Sequence, residues 1–182
     1  MNKMRELTTV AKAAKQIRVI LKEKFPKMKF RVKSENYSMG DSIRVYWTDG
    51  PTADEVGMFV NHYQYGDFNG MEDIYEYTNT REDIPQTKYL FLERSYSDDI
   101  QLKASQAAKK MYAGLDNVPA PETESDLSKS FHAFDNWFNW AQISYRILVT
   151  MNLENAVDIV DDDSVSGTLF SGFKAVKSAE VM

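Results

Sequence analysis

Apolar and polar positions repeat first with a helical period. Leu7, Val10, Ala14, Ile17 and Leu21 step by three and four within residues 3–25, laying one apolar stripe along a helix. Lys12, Lys15, Arg18 and Lys22 fall off that stripe as a basic ridge. Pro26 ends the helix, because the residue before a proline is pushed out of the α region. The period then drops to two. Lys29, Arg31 and Lys33 alternate with Phe30 and Val32 over 29–34, and Arg44 and Tyr46 alternate with Ile43, Val45 and Trp47 over 42–47. These segments read as two strands joined by a turn at 39–42. Helical spacing returns over 51–65 through Val56, Phe59, Val60 and Tyr63. Ile74 and its flanking tyrosines mark a third strand; Tyr89, Phe91 and Glu93 alternate with Leu90, Leu92 and Arg94 in a fourth, over 88–97. A helix over 99–112 follows, with Asp98 placed to cap it.

The order α-β-β-α-β-β-α over residues 1–112 predicts an α+β domain, most economically a mostly antiparallel four-stranded sheet with helices on one face. Residues 113–125 hold Gly114, Pro119, Pro121 and few apolar positions, and read as a linker. Residues 126–151 read as one long aromatic helix. Phe131, Phe134, Phe138, Ala141, Tyr145 and Leu148 form one stripe; Trp137, Trp140, Ser144, Ile147 and Met151 lie beside it. A helix apolar over that much of its girth is buried on two sides, lying between the main domain and a second copy or awaiting a partner. A tail over 158–182 completes this C-terminal segment (126–182), with a short strand at "TLFSGF".

Composition narrows the class. With 43% hydrophobic and 27% charged residues, the 182-residue chain is globular in type. It has no cysteine, which excludes disulfides, thiolate metal sites and a cysteine nucleophile, and suits a reducing cytosol. No apolar run approaches the roughly 18 residues that span a bilayer. The N-terminus lacks the apolar core of a signal peptide, so the expected location is cytoplasmic. The net charge of −5 is unevenly spread: residues 1–40 carry eleven Lys/Arg against three acids, a balance of +8 that leaves −13 elsewhere. A basic end on an acidic body fits a nucleic-acid or nucleoprotein contact, or simply two segments that fold against each other.

Candidate chemistry is sparse. Pairing the first two strands would gather Lys29, Arg31, Lys33, Arg44 and Tyr46 on one face, suited to phosphates and a stacked base, or else to bulk water. Glu72, Asp73, Glu76, Glu82 and Asp83 form a carboxylate cluster on and around the expected third strand, and Asp161, Asp162 and Asp163 an acidic run without the spacing of a calcium loop. The only histidines, His62 and His132, sit in helical patterns with no partner at ligand spacing. Thr52 and Glu55 fit a capping box after an Asp49-Gly50 turn. No Gly-rich phosphate loop or nucleophile elbow is present. The expectation is therefore no catalytic residue, no cofactor and no metal.

Three ordered blocks, "FPKMKFRVKSENYSMGDSIRVYWTDGPT", "FNGMEDIYEY" and "YLFLERSYSD", give the chain its resemblance to a large polyvalent protein-associated domain over roughly residues 10–100. Such domains occur in proteins of phages and conjugative elements. The resemblance implies a setting: the cytoplasm of a bacterial host, entered with the element's DNA, where host defences are blunted. It supplies no catalytic residues. A stand-alone form with an added helical segment resembles an anti-CRISPR protein, a non-enzymatic inhibitor that binds a CRISPR effector nuclease and blocks DNA binding or cleavage. On that reading Glu72, Asp73, Glu76 and Asp161–Asp163 meet a basic groove, while Trp137 and Trp140 anchor a protein partner or self-association. The rival readings are a nucleic-acid-binding accessory protein acting through its basic N-terminal region and an enzyme built on the carboxylate cluster.

Overall fold

A computed structural model of the chain describes residues 7–133 and 135–149. It divides into two compact units between Ser95 and Tyr96. In the first, helix α1 spans Thr9–Lys24 and starts at Thr8, whose hydroxyl accepts the Ala11 N–H at 3.4 Å. Val10, Ala13, Ala14, Ile17 and Leu21 are its buried stripe, and the predicted basic ridge faces solvent. Leu7 precedes the helix and is 52% exposed, so it is not part of that stripe.

Strands β1 (Arg31–Tyr37) and β2 (Gly40–Thr48) pair antiparallel, with Arg31 opposite Tyr46 and Lys33 opposite Arg44. Asp49 and Gly50 then adopt positive φ, 58° and 65°, and turn the chain into helix α2 (Ala53–Val60). A Cβ at Gly50 would stand 2.3 Å from the end of Met28. The capping box is formed: the Glu55 N–H donates to the Thr52 hydroxyl at 3.2 Å, and the Thr52 N–H donates to the Glu55 carboxylate at 2.7 Å. A short ribbon follows, β3 (Asp67–Asn69) with β4 (Ile74–Glu76), and then β5 (Tyr89–Ser95).

The expected single four-stranded antiparallel sheet is not what forms. The sheet has three strands in the order β1-β2-β5, and β5 runs parallel to β2, with Ser42 opposite Tyr89 and Thr48 opposite Ser95. The predicted third strand pairs only with β3, as a separate antiparallel ribbon. The cause is the connection: α2 and the ribbon supply the long crossover that a parallel pair requires. Ile17, Leu21, Ile43, Val45, Trp47, Val56 and Val60 form the core between the sheet's inner face and the two helices.

In the second unit, helix α3 (Asp98–Met111) packs on helix α4 (Trp140–Leu148). Ser97, not Asp98, is the N-cap of α3; Asp98 is its first residue. The long helix predicted over 126–151 is corrected to a hairpin plus a shorter helix. Strands β6 (Ser130–Ala133) and β7 (Asn136–Asn139) pair antiparallel, with Phe131 opposite Phe138 and His132 opposite Trp137. Asp135, with φ of 59°, makes a turn that an α-helix excludes. Residues 113–125, read as a linker, contribute Leu115 and Val118 to the unit's core beside Ala108, Trp140, Ile143 and Ile147. Lys109 Nζ ties that segment down, donating to the carbonyls of Leu115 (3.0 Å), Asp116 (3.2 Å) and Val118 (2.5 Å). Phe134, Met151, the run Asp161–Asp163 and the strand proposed in the tail lie outside the described residues. Among the described residues, no helix is long and apolar enough to cross a membrane.

Candidate nucleic-acid interface

The inner face of the sheet is committed to the core, so the outer face carries whatever the sheet itself presents. Alternation from the buried Val32, Ile43, Val45 and Trp47 places Arg31, Lys33, Arg44 and Tyr46 on that face. The parallel partner adds Tyr89, Phe91 and Glu93, giving two crosswise rungs, Arg31–Tyr46–Glu93 and Lys33–Arg44–Phe91. Lys29 lies just before β1 and shares an open cleft with Lys27, Arg31, Tyr46 and Arg94 at that end of the sheet. Four of the five predicted contact residues therefore sit on one face, and the fifth at its rim.

Arg44 has two partners on that face. Its guanidinium lies over the Phe91 ring, 4.4 Å from the centroid, and donates to Glu93 Oε1 at 2.5 Å. The hydrogen bond to Glu93 raises the Arg44 pKa further above its already high value. The ring and the carboxylate together hold the guanidinium over Phe91, and an arginine so placed is a planar cation able to stack with a further π system. Lys33 Nζ stands 6.0 Å from the Tyr46 ring. Arg94 instead donates to the carbonyls of Asp49 (3.2 Å) and Gly50 (2.6 Å), bracing the turn after β2. Among the described residues, Lys27, Lys29 and Arg31 have no carboxylate in ion-pair range. Their charge is available to a ligand.

Sequence reasoning missed the aromatic continuation of this face. Phe91 stacks on Tyr89 at 6.2 Å, Tyr75 meets Tyr89 edge-on at 5.5 Å, and Tyr77 stacks on Tyr65 at 5.6 Å. Lys88 Nζ lies over the rings of both Tyr75 (5.0 Å) and Tyr89 (5.4 Å). The alternation over 88–97 had already put Tyr89, Phe91 and Glu93 on one side. What it lacked was a partner strand, without which that side could not be joined to Arg44 and Tyr46.

The other predicted residues are placed differently. Glu72 and Asp73 are exposed between β3 and β4. Glu76 is half-buried and accepts a hydrogen bond from Asn69 Nδ2 at 2.7 Å. Asp83 is held by Arg81, through Nε at 3.0 Å and Nη2 at 2.5 Å, and that bond keeps its carboxyl below the usual range. Among the described residues, no three acids or histidines gather where a metal ion could be held. Burial, then Arg81, lowers the His62 pKa. His132, expected on a helix, stands on β6 with its ring 5.6 Å from that of Trp137. Trp137 is 67% exposed, whereas Trp140 is 3% exposed and packs against Phe131 at 4.8 Å. Only the first of the two indoles is presented at a surface.

Comparison with curated proteins and with solved structures found no match. The family large polyvalent protein associated domain 29 matches residues 8–97, the segment that spans α1 to β5 and therefore the whole sheet. Domains of this kind are carried by polyvalent proteins of phages and other mobile elements. Residues 8–97 of this chain belong to the large polyvalent protein associated domain 29 family.

Proposed function

We propose that this mobile-element domain acts by binding rather than catalysis, and that it holds single-stranded nucleic acid on the outer face of the β1-β2-β5 sheet. The observation that carries this reading is Arg44, held over the Phe91 ring and bonded to Glu93 beside Lys33 and Tyr46. Flat cationic and aromatic surfaces stack unpaired bases irrespective of sequence, while Lys27, Lys29 and Arg31 at the rim suit the phosphates. The test is anisotropy of a labelled single-stranded oligonucleotide titrated at several salt concentrations. Binding should weaken steeply with salt, and Lys29→Glu/Arg31→Glu should lower affinity by at least about tenfold and flatten the salt slope by roughly 1.4, for two phosphate contacts. Absence of binding at low salt would overturn the proposal.

A second reading is favoured by the family setting and by the exposed indole of Trp137. The chain is then a non-enzymatic counter-defence protein, an anti-CRISPR-like inhibitor that docks on a CRISPR effector, with Trp137 as anchor and the exposed Glu72 and Asp73 complementing a basic groove.

A further inference from the structure

Strand β1 is an outer strand: its hydrogen-bonded neighbour is β2 alone. The turn identifies which of its backbone groups face away from β2: Tyr37 and Gly40 flank the two-residue turn at 38–39 and close it as a hydrogen-bonded pair, and the Val32 and Asp41 carbonyls are engaged by side chains. Arg18 Nη2 donates to the Val32 carbonyl at 2.6 Å. Asp41, paired with Asn36, has its carbonyl engaged by the Tyr37 hydroxyl at 3.2 Å. Antiparallel pairs alternate between exchanging and not exchanging hydrogen bonds, so Val32, Ser34 and Asn36 turn their N–H and C=O groups outward. The edge is open to another strand in one phase only.

The side chains on the outer face of that edge are Arg31, Lys33, Glu35 and Tyr37, all exposed. They are complementary to themselves about Ser34. If two copies pair antiparallel with Ser34 opposite Ser34, each Lys33 faces Glu35 of the second copy and each Arg31 faces its Tyr37. These pairs fall at the non-hydrogen-bonded positions, where opposing side chains come closest. Neighbouring registers fail. Centring on Lys33 sets ammonium against ammonium, and centring on Glu35 sets carboxylate against carboxylate. Alternating charge thus blocks indiscriminate edge pairing while permitting one arrangement.

We infer that the chain self-associates through β1 of two copies, paired about Ser34 into a continuous six-stranded sheet. The Ser34 N–H and C=O groups exchange hydrogen bonds across the two-fold axis. The Val32 carbonyl, already held by Arg18, offers its second lone pair to Asn36 of the second copy. A single seven-residue edge buries little surface, so the association is reversible and rises with concentration. The inference rests on edge geometry and charge order, independently of nucleic-acid binding. It also joins the two basic–aromatic faces side by side.

Sedimentation velocity over a concentration series tests it with wild type, K33E, E35K and an equimolar mixture of the two variants. Wild type should move from monomer to dimer as concentration rises. K33E alone brings carboxylates together and E35K alone brings ammoniums together, so each should dimerise at least about tenfold more weakly. The mixture restores both opposite-charge pairs and should regain the dimer. Both positions are exposed, and circular dichroism of each variant should match wild type. A wild type monomeric up to its solubility limit, dimerisation indifferent to either reversal, or a mixture that stays monomeric would each overturn the inference.

Discussion

Tyr75 shows how much one side chain carries in this domain. Its single O–H is shared between two carbonyls, Gly66 at 2.6 Å and Lys88 at 2.5 Å, and so fastens the ribbon to the entry of β5. The chain passes so close that a Cβ on Gly66 would fall 2.0 Å from the Glu76 carbonyl oxygen. Tyr75→Phe keeps the ring and leaves both carbonyls without this donor, and should cost about 1–2 kcal/mol in a urea melt. Burial, then the neighbouring Tyr65, raises the Tyr75 pKa, and ionisation would set a phenolate against two carbonyl oxygens. An acid whose folded pKa is raised contributes stability that is full below about pH 10 and lost as pH rises through the folded value. The wild type should therefore lose stability at alkaline pH through a component absent from the Phe variant. None of this was legible in "DIYEY", because a hydroxyl's partners are set by tertiary packing.

At the scale of elements, what is local was readable. The capping box of α2 needs only Thr52 and Glu55, three residues apart, and both reciprocal hydrogen bonds are present. Thr52→Ala should destabilise the protein by about 1 kcal/mol in the same urea melt, with Glu55→Ala giving a similar loss and the double variant less than the sum of the two. The strands were readable too, since alternation marks a pleat. The β1–β2 pairing was readable from the short turn between them, but the partner of β5 was not, because alternation says which side chains share a face and nothing about which distant strand lies next door. Residues 130–139 failed for another reason. Their aromatics satisfy a period of two and a period near 3.6 alike, and the positive φ of Asp135 decided for a hairpin.

For the molecule as a whole, the candidate site was half legible. Lys29, Arg31, Lys33, Arg44 and Tyr46 follow from two adjacent strands, but Phe91 and Glu93 join them only through the parallel pairing with β5. The two functional readings separate in cells. In a plasmid-interference assay against a panel of CRISPR systems, an inhibitor should protect the plasmid, keep that protection in Lys29→Glu/Arg31→Glu and lose it in Trp137→Ala. Protection that depends instead on Lys29 and Arg31 favours the sheet face as the working surface. No protection in any system would sink the inhibitor reading.

The parallel pair also governs how the domain comes into being. Strand β2 occupies the middle of the sheet, yet the strand that closes its second side arrives only after α2 and the ribbon have been made. Until Tyr89–Ser95 emerges from the ribosome, the pairs Ile43–Leu90 and Val45–Leu92 are missing and a central strand stands as an edge. Such long-range pairing makes folding slow relative to a hairpin sheet, and until it forms β2 has an unpaired edge. The family segment is thus all-or-nothing at its C-terminal end: no piece of it that stops before β5 has a finished sheet.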